Sequence, residues 1–255
     1  MTDEVVHLSV EGGIATITLD SPRNRNALSR QLMTELFERL EAAAKDDAAR
    51  AVVLTHTGTT FCAGADLTEA AEGGMAAGTA ALLQLLRTIV ALPKPVVARI
   101  DGNVRAGGLG LVGACDIAVA SEASTFAFTE ARLGLAPAII SLTVLPRLDA
   151  RAAGRYFLTG EKFNGCTAAQ IGLVTFGAAN VDGALAEILA GLRAGSPQGL
   201  AESKKLVTAE VLAALDRQGE AMADLSARLF ASDEAQEGMT SFLQRRPPRW
   251  ASEAE

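Results

Sequence analysis

The sequence is poor in the side chains that most often carry chemistry. Only two histidines, His7 and His56, occur in 255 residues. That leaves little for a His-based triad and nothing for a multi-histidine metal site. The three cysteines, Cys62, Cys115 and Cys166, are odd in number and widely spaced. This excludes a disulfide framework and any CxxC zinc or redox motif, and it suits a reducing compartment. No apolar run reaches the ~20 residues that span a bilayer. Basic side chains are outnumbered 23 to 30, for a net charge of −7. Polyanionic partners such as nucleic acid or an acidic membrane surface are therefore disfavoured, whereas a small anion held by a few local cations is not. The start Met1-Thr2-Asp3-Glu4 is acidic and carries no secretory pattern, so the expectation is a cytoplasmic protein. Chemistry must rest on carboxylates, backbone groups or a cofactor.

With 49% hydrophobic and 21% charged residues, the chain is expected to be globular rather than disordered. Val5 to Leu19 alternates like a hairpin around Glu11-Gly12-Gly13. Ser29 is a candidate N-cap, and Leu32, Leu36 and Leu40 share one helical face. Strands are expected at 51–55, 96–100 and 116–120. Helices are expected over 82–89, about 108–114, near 138–147 and near 149–158. Between Ile100 and Gly107 the chain reads as a loop. From 182 onward helical periodicity dominates, with one stripe at Leu206, Val207, Val211 and Leu215 and another at Met222, Leu225 and Leu229. Asp233 and Gln236 fit a capping box. The expected organisation is an α/β core over 1–185 followed by a helical region over 186–255.

Two glycine-rich loops each join a strand to a helix: Ala63-Gly64-Ala65-Asp66-Leu67 and Arg105-Ala106-Gly107-Gly108-Leu109. Taken singly, each fits either close helix–strand packing or the presentation of free backbone N–H groups at a helix start. Taken together, they could converge on one oxygen as an oxyanion hole. Gly108-Leu109-Gly110-Leu111-Val112-Gly113 is also a formal GxGxxG. Its distance from the preceding strand fits a dinucleotide fingerprint poorly, so an NAD-dependent oxidoreductase is a weak alternative.

Phe61 to Leu67, Pro93-Lys94-Pro95-Val96, Gly107-Gly108, Cys115-Asp116-Ile117, Phe128 to Leu135 and Thr167 to Val174, in that order, resemble the enoyl-CoA hydratase/isomerase (crotonase) superfamily. The likeness runs from about residue 5 to 250. It implies an α/β fold, a crotonase-like spiral of ββα units with a C-terminal helical oligomerisation region, assembled as a homotrimer or homohexamer. It implies an acyl-CoA thioester substrate with no metal and no separate cofactor, coenzyme A being part of the substrate. The backbone N–H groups of Ala65 and Gly107 map onto the oxyanion hole. Arg25, Ala27, Ala63, Ala65, Asp66 and Leu67 fall where relatives contact coenzyme A. Phe242 and Arg245 match a segment that reaches a neighbouring subunit's coenzyme A; read alone, Arg245 is equally a solvated tail charge beside Arg246 and Arg249.

Hydratases of this superfamily resemble one another in having two glutamates. Here the second position is Glu130, but the first is Gly110, which can move no proton. On its own Glu130 is also readable as a loop carboxylate or an ion pair of Arg132. With Phe126, Phe128 and Leu133 around it, its pKa is expected to rise toward neutrality. One carboxylate suffices for a 1,3-proton shift, as in double-bond isomerases. The stretch Thr129 to Ser141 is instead similar to bacterial hydratases of branched, methylglutaconyl-type thioesters. The leading expectation is an enoyl-CoA hydratase of fatty acid β-oxidation type. A Δ3,Δ2-enoyl-CoA isomerase and an acyl-CoA-binding protein without hydratase activity are the alternatives. Asp66, Glu69 and Glu72 are candidate substitutes for the missing carboxylate, although each also suits a solvated helix start.

Overall fold

The computed structural model describes residues 4–73 and 75–251, and gives the backbone alone for residues 71–73. Alternating small and β-branched residues form β1 (Val6–Glu11) and β2 (Ile14–Leu19), an antiparallel hairpin. It turns through Gly12 and Gly13 at φ of 54° and 81°, a region that disfavours side chains with a Cβ. Helix α1 (Arg30–Lys45) follows, capped by the Ser29 hydroxyl, which accepts the Leu32 N–H at 3.2 Å. Leu32, Leu36 and Leu40 bury one face of this helix.

From residue 51 the chain repeats one move three times. A buried strand enters one sheet, a tight turn redirects the chain, and a three-residue strand enters a second sheet. The pairs are β3 (Ala51–His56) with β4 (Thr60–Cys62), β5 (Val96–Ile100) with β6 (Asn103–Arg105), and β7 (Ile117–Ser121) with β8 (Thr125–Ala127). Helices α2 (Leu67–Gly73) and α3 (Ala76–Ala91) follow the first pair, and α4 (Gly107–Ala114) the second. A 3₁₀ turn at Glu130–Leu133 follows the third, then α5 (Ala138–Val144) and α6 (Ala150–Thr159). β9 (Phe163–Asn164), α7 (Gly165–Gln170) and β10 (Phe176–Ala178) complete this body.

The six-stranded sheet runs β1-β2-β3-β5-β7-β10 and the four-stranded one β4-β6-β8-β9. Pairing is parallel throughout except at β1–β2 and β8–β9. The expected loop over 101–106 is therefore corrected to a turn plus β6. A three-residue strand is too short to show a period in sequence, and only its pairing with β4 and β8 defines it. Gly102 permits the turn, because a Cβ there would lie 2.6 Å from the Thr59 carbonyl oxygen.

Both faces of the six-stranded sheet are covered, which is why β3 reads as a continuous apolar run. Val52, Leu54, Val96 and Ala98 join the leucines of α1 and α3 in the main core. Ala51, Val53 and Val97 face the other way, under Leu185 and Leu189 of α8 (Val181–Ala194). The 185/186 boundary read from the sequence falls inside this helix, which belongs to the sheet's packing.

The chain ends in α9 (Pro197–Phe230), α10 (Asp233–Leu243) and a 3₁₀ turn at Arg249–Ala251. The expected stripe on α9 is only half right. Leu206 and Val207 are 81% and 70% exposed, and Met222, Leu225 and Leu229 are half-buried. The buried face is Lys204, Thr208, Val211, Leu215, Gly219 and Ala223, set by packing on α3 and α5. Lys204 holds this face to the sheet: its ammonium pairs with Asp116 at 2.8 Å and donates to the carbonyls of Ile89 and Lys94. The cap of α10 is Ser232, accepting the Ala235 N–H, rather than Asp233. Among the described residues no helix is long and apolar enough to cross a membrane.

Candidate active site

The site follows from the small sheet. Because β4 and β6 are parallel neighbours, and β6 and β8 likewise, their C-terminal ends deliver three loops to one place. Those loops carry Ala65, Gly107 and Glu130, which lie 65 residues apart in sequence from first to last.

The first two loops touch through backbone. Gly64 has φ of 89°, and a Cβ there would lie 2.8 Å from Ala106 Cβ and 3.4 Å from the Gly107 nitrogen. A Cβ at Gly107 would lie 2.8 Å from Leu28 Cδ1. Two glycines are thus required for the loops to approach. Ala106 adopts φ 45° and ψ −121°, a strained conformation for a residue with a Cβ; its N–H is held by the Ala127 carbonyl at 3.2 Å. Among the described residues, no backbone hydrogen bond takes up the N–H of Ala65 or of Gly107. Both donors are free for an oxygen in the cavity.

A third strip, residues 25–28, is laced to the first loop. The Leu28 N–H donates to the Gly64 carbonyl at 2.8 Å, and the Ala63 N–H to the Arg25 carbonyl at 3.1 Å. The residue that shapes this strip is Asn26, which the sequence reading missed. Fully buried at φ 52°, it donates to the carbonyls of Thr57 and Thr60 and accepts the Ser21 N–H. Its sequence signal was its type: Asn tolerates the left-handed region and can bond to backbone on both sides.

Glu130 opens the 3₁₀ turn, which Gly134 closes in the left-handed conformation with its N–H on the Glu130 carbonyl. The side chain is 8% exposed, and Oε2 has no hydrogen-bond partner among the described residues. Burial pushes its pKa from 4.5 up to about 7, opposed weakly by its own backbone N–H. Just before it in the chain, the Phe128 ring meets Phe157 edge-on at 4.5 Å, and Phe126 stacks on Phe163 at 5.6 Å. Arg132 does not neutralise it, since its Nε donates to the Thr159 carbonyl. A carboxyl poised near neutrality is the form a general acid–base needs.

A cavity of about 730 Å³ brings these groups together. On its wall lie Arg25, Ala27, Ala63, Ala65, Asp66, Leu67, Gly107, Glu130 and Phe242; Gly110 and Arg245 are not on it. Its two acidic residues differ in use. Asp66 is engaged, with Oδ1 on the Thr68 and Glu69 N–H groups and Oδ2 on the Asn24 amide. Glu69 likewise accepts the Arg30 N–H at 2.9 Å, so both are engaged where Glu130 Oε2 is not. The Glu72 side chain lies outside the described residues. Burial pushes the Cys62 thiol up to about 12, as it does that of Cys115, so neither offers a thiolate nucleophile.

The enoyl-CoA hydratase/isomerase family model matches residues 9–253. The chain belongs to that family. It is similar to the 2,3-dehydroadipyl-CoA hydratase of Escherichia coli K12, 32% identical over 92% of this chain and 94% of that one. It is also similar to the crystal structure of an enoyl-CoA hydratase from Mycobacterium avium: 53% identity, a TM-score of 0.91, and 98% and 100% of the two chains covered. A structure from Mycobacterium avium paratuberculosis K-10 is 55% identical with a TM-score of 0.92, covering 97% and 99%. The fold is the crotonase α/β fold.

Within this family fold the dinucleotide reading is corrected. The GxGxxG glycines are packing residues inside α4: a Cβ at Gly108 would lie 2.8 Å from Cys62 Cβ, at Gly110 2.5 Å from Ile140 Cγ2, and at Gly113 2.8 Å from the Thr143 carbonyl oxygen. No loop there is free to cradle a pyrophosphate, so the dinucleotide alternative falls. Among the described residues no group of three His, Cys, Asp or Glu could hold a metal. Phe242 lines this chain's own cavity. α10 lies on the Glu130 turn, where a Cβ at Gly134 would lie 2.7 Å from the Glu234 carbonyl carbon, and Ala235 and Met239 pack with Leu67 and Leu135. Arg245, at φ 55° just past α10, is off the cavity wall.

Proposed function

We propose that this chain transforms an enoyl-CoA thioester through an enolate, with the Ala65 and Gly107 N–H groups holding the thioester oxygen and Glu130 moving the proton. The observation that carries this reading is the pairing of two unengaged amides with one buried, unpartnered carboxyl near neutrality in a single cavity. As charge moves onto the thioester oxygen, each fixed donor supports the transition state by about 3–4 kcal/mol, because the dipoles need no reorganisation. Arg25, exposed on the cavity wall, suits the phosphates of coenzyme A, and the Ala63–Leu67 backbone its adenine.

The reaction is enoyl-CoA hydration, as the names of the relatives suggest. Glu130 takes a proton from water as its oxygen bonds C3, the double-bond pair moves onto the thioester oxygen, and the proton passes to C2. A second reading, Δ3,Δ2 isomerisation, is favoured by the absence of any side chain at Gly110. In it the same carboxylate takes a proton from C2 and returns one to C4. Loss of the conjugated enoyl absorbance from crotonyl-CoA reports hydration, and its gain from a 3-enoyl-CoA reports isomerisation. If neither changes while CoA thioesters still raise the melting temperature, the protein binds acyl-CoA without these reactions.

The exposed Leu158, Phe176, Leu206 and Val207 support a homotrimer or a dimer of trimers, which light scattering on the purified protein tests. A monomer at micromolar concentration would remove the assembly from this reading.

A further inference from the structure

α4 and α5 meet backbone to backbone. The Thr143 hydroxyl of α5 donates to the Gly110 carbonyl at 3.1 Å. Directly over the bare Cα of Gly110 stands Ile140: a Cβ at position 110 would lie 2.5 Å from its Cγ2 and 3.0 Å from its Cβ, with Leu86 Cδ1 at 3.3 Å. Ile140 therefore occupies the volume into which any side chain at 110 would project. It is 3% exposed, and it stands on the wall of the same cavity as Glu130, Ala65 and Gly107.

We propose that Ile140, seated on Gly110, is a specificity-determining residue that keeps water from the α4 side of the acyl chain and so lowers the rate of hydration relative to that of the proton shift, without abolishing it. The inference rests on the reading of Glu130 as proton carrier. A water needs two to four polar partners and room for about one probe sphere. At this point it meets the hydrocarbon of Ile140 and Leu86, and the Gly110 carbonyl is already engaged by Thr143. The two reactions differ in that guest. Hydration needs a water oxygen at C3, whose proton Glu130 accepts and then delivers to C2. The 1,3-shift needs nothing but substrate: the proton leaves C2 for Glu130 and charge moves onto the thioester oxygen as a dienolate; as the carbonyl re-forms, the enolate double bond moves to C2–C3 and the C3–C4 π pair takes a proton from Glu130 at C4. Ile140 opposes the first without touching the second.

The test is the ratio of hydration rate on crotonyl-CoA to isomerisation rate on a 3-enoyl-CoA. Ile140→Ala removes the Cγ2 methyl, and the ratio should rise about tenfold, the equivalent of roughly 1.4 kcal/mol in relative barriers. Ile140→Val keeps a methyl over Gly110 and should stay within about twofold of wild type by the same arithmetic. If Ile140→Ala does not fold, the shape-matched pair Ile140→Val and Ile140→Thr replaces it, and the hydroxyl should raise the ratio over the methyl. A folded Ile140→Ala, or the Thr/Val pair, with an unmoved ratio overturns the role of Ile140 alone. A wild type inert on both substrates overturns the Glu130 reading and this inference with it.

Discussion

Replacing Glu130 by glutamine should stabilise the protein while stopping its chemistry, and the stabilisation should depend on pH in a way that identifies the cause. The carboxyl is buried and Oε2 has no partner, so its charge is what the fold opposes. Below pH 4.5 both folded and unfolded chains hold this proton. As pH rises from 4.5 through about 7, the unfolded chain releases it while the folded chain retains it, so stability falls; above about 7 the loss levels off. A rise from 4.5 to about 7 corresponds to about 3 kcal/mol at 1.36 kcal/mol per pKa unit. Glutamine has the same shape and no charge, so its packing cost is constant with pH. Urea unfolding of both proteins between pH 5 and 8, at one fixed protein concentration, gives the difference directly, with all other carboxylates cancelling. The variant's advantage should grow with pH by about 2.5 kcal/mol over that range, while turnover is lost and CoA-thioester binding persists. A difference curve flat in pH would show that Glu130 titrates as an ordinary surface carboxyl, and the proton-transfer role would lose its physical basis.

Gly107→Ala drives a Cβ toward Leu28 Cδ1 at 2.8 Å and shifts the amide beside it; kcat should fall about 100- to 1000-fold with CoA-thioester affinity retained, which single-turnover rates and calorimetric binding separate. Asn26→Ala removes one accepted and two donated hydrogen bonds from a fully buried position. It should cost about 3 kcal/mol in urea unfolding, and an unchanged midpoint would mean the strip at 25–28 holds its shape without it. Lys204→Met leaves Asp116 charged, 9% exposed and without its cation, at a cost of about 3–5 kcal/mol. The double variant with Asp116→Asn should recover part of that, and no recovery would show that the ammonium acts through packing alone.

Much of the fold was legible because it is local. The hairpin, the leucine face of α1, the N-cap at Ser29 and the apolar run of β3 each follow from a period or a turn residue within a few positions. The residues that line the candidate site were legible for a related reason: a glycine loop before a helix start and a glutamate among phenylalanines leave short, ordered signatures. Other features had no such trace. β6 exists only through its neighbours. Asn26 acts on carbonyls more than thirty residues away, and Lys204 on an aspartate 88 residues before it. The exposed Leu206 and buried Lys204 on α9 invert what hydropathy predicts.

By itself, then, the amino-acid order determined where most strands and helices form, that two glycine-rich loops precede helix starts, and that one glutamate stands beside phenylalanines at position 130. These are consequences of backbone sterics and of side-chain period, which act over one or two turns. Tertiary packing decided that three loops spanning 65 residues meet in one cavity, that Glu130 is desolvated, that α10 places Phe242 on the wall of that cavity, and that Ile140 fills the space above Gly110. Those outcomes depend on which surfaces exclude water from each other, a property of contacts between distant segments that no local pattern encodes.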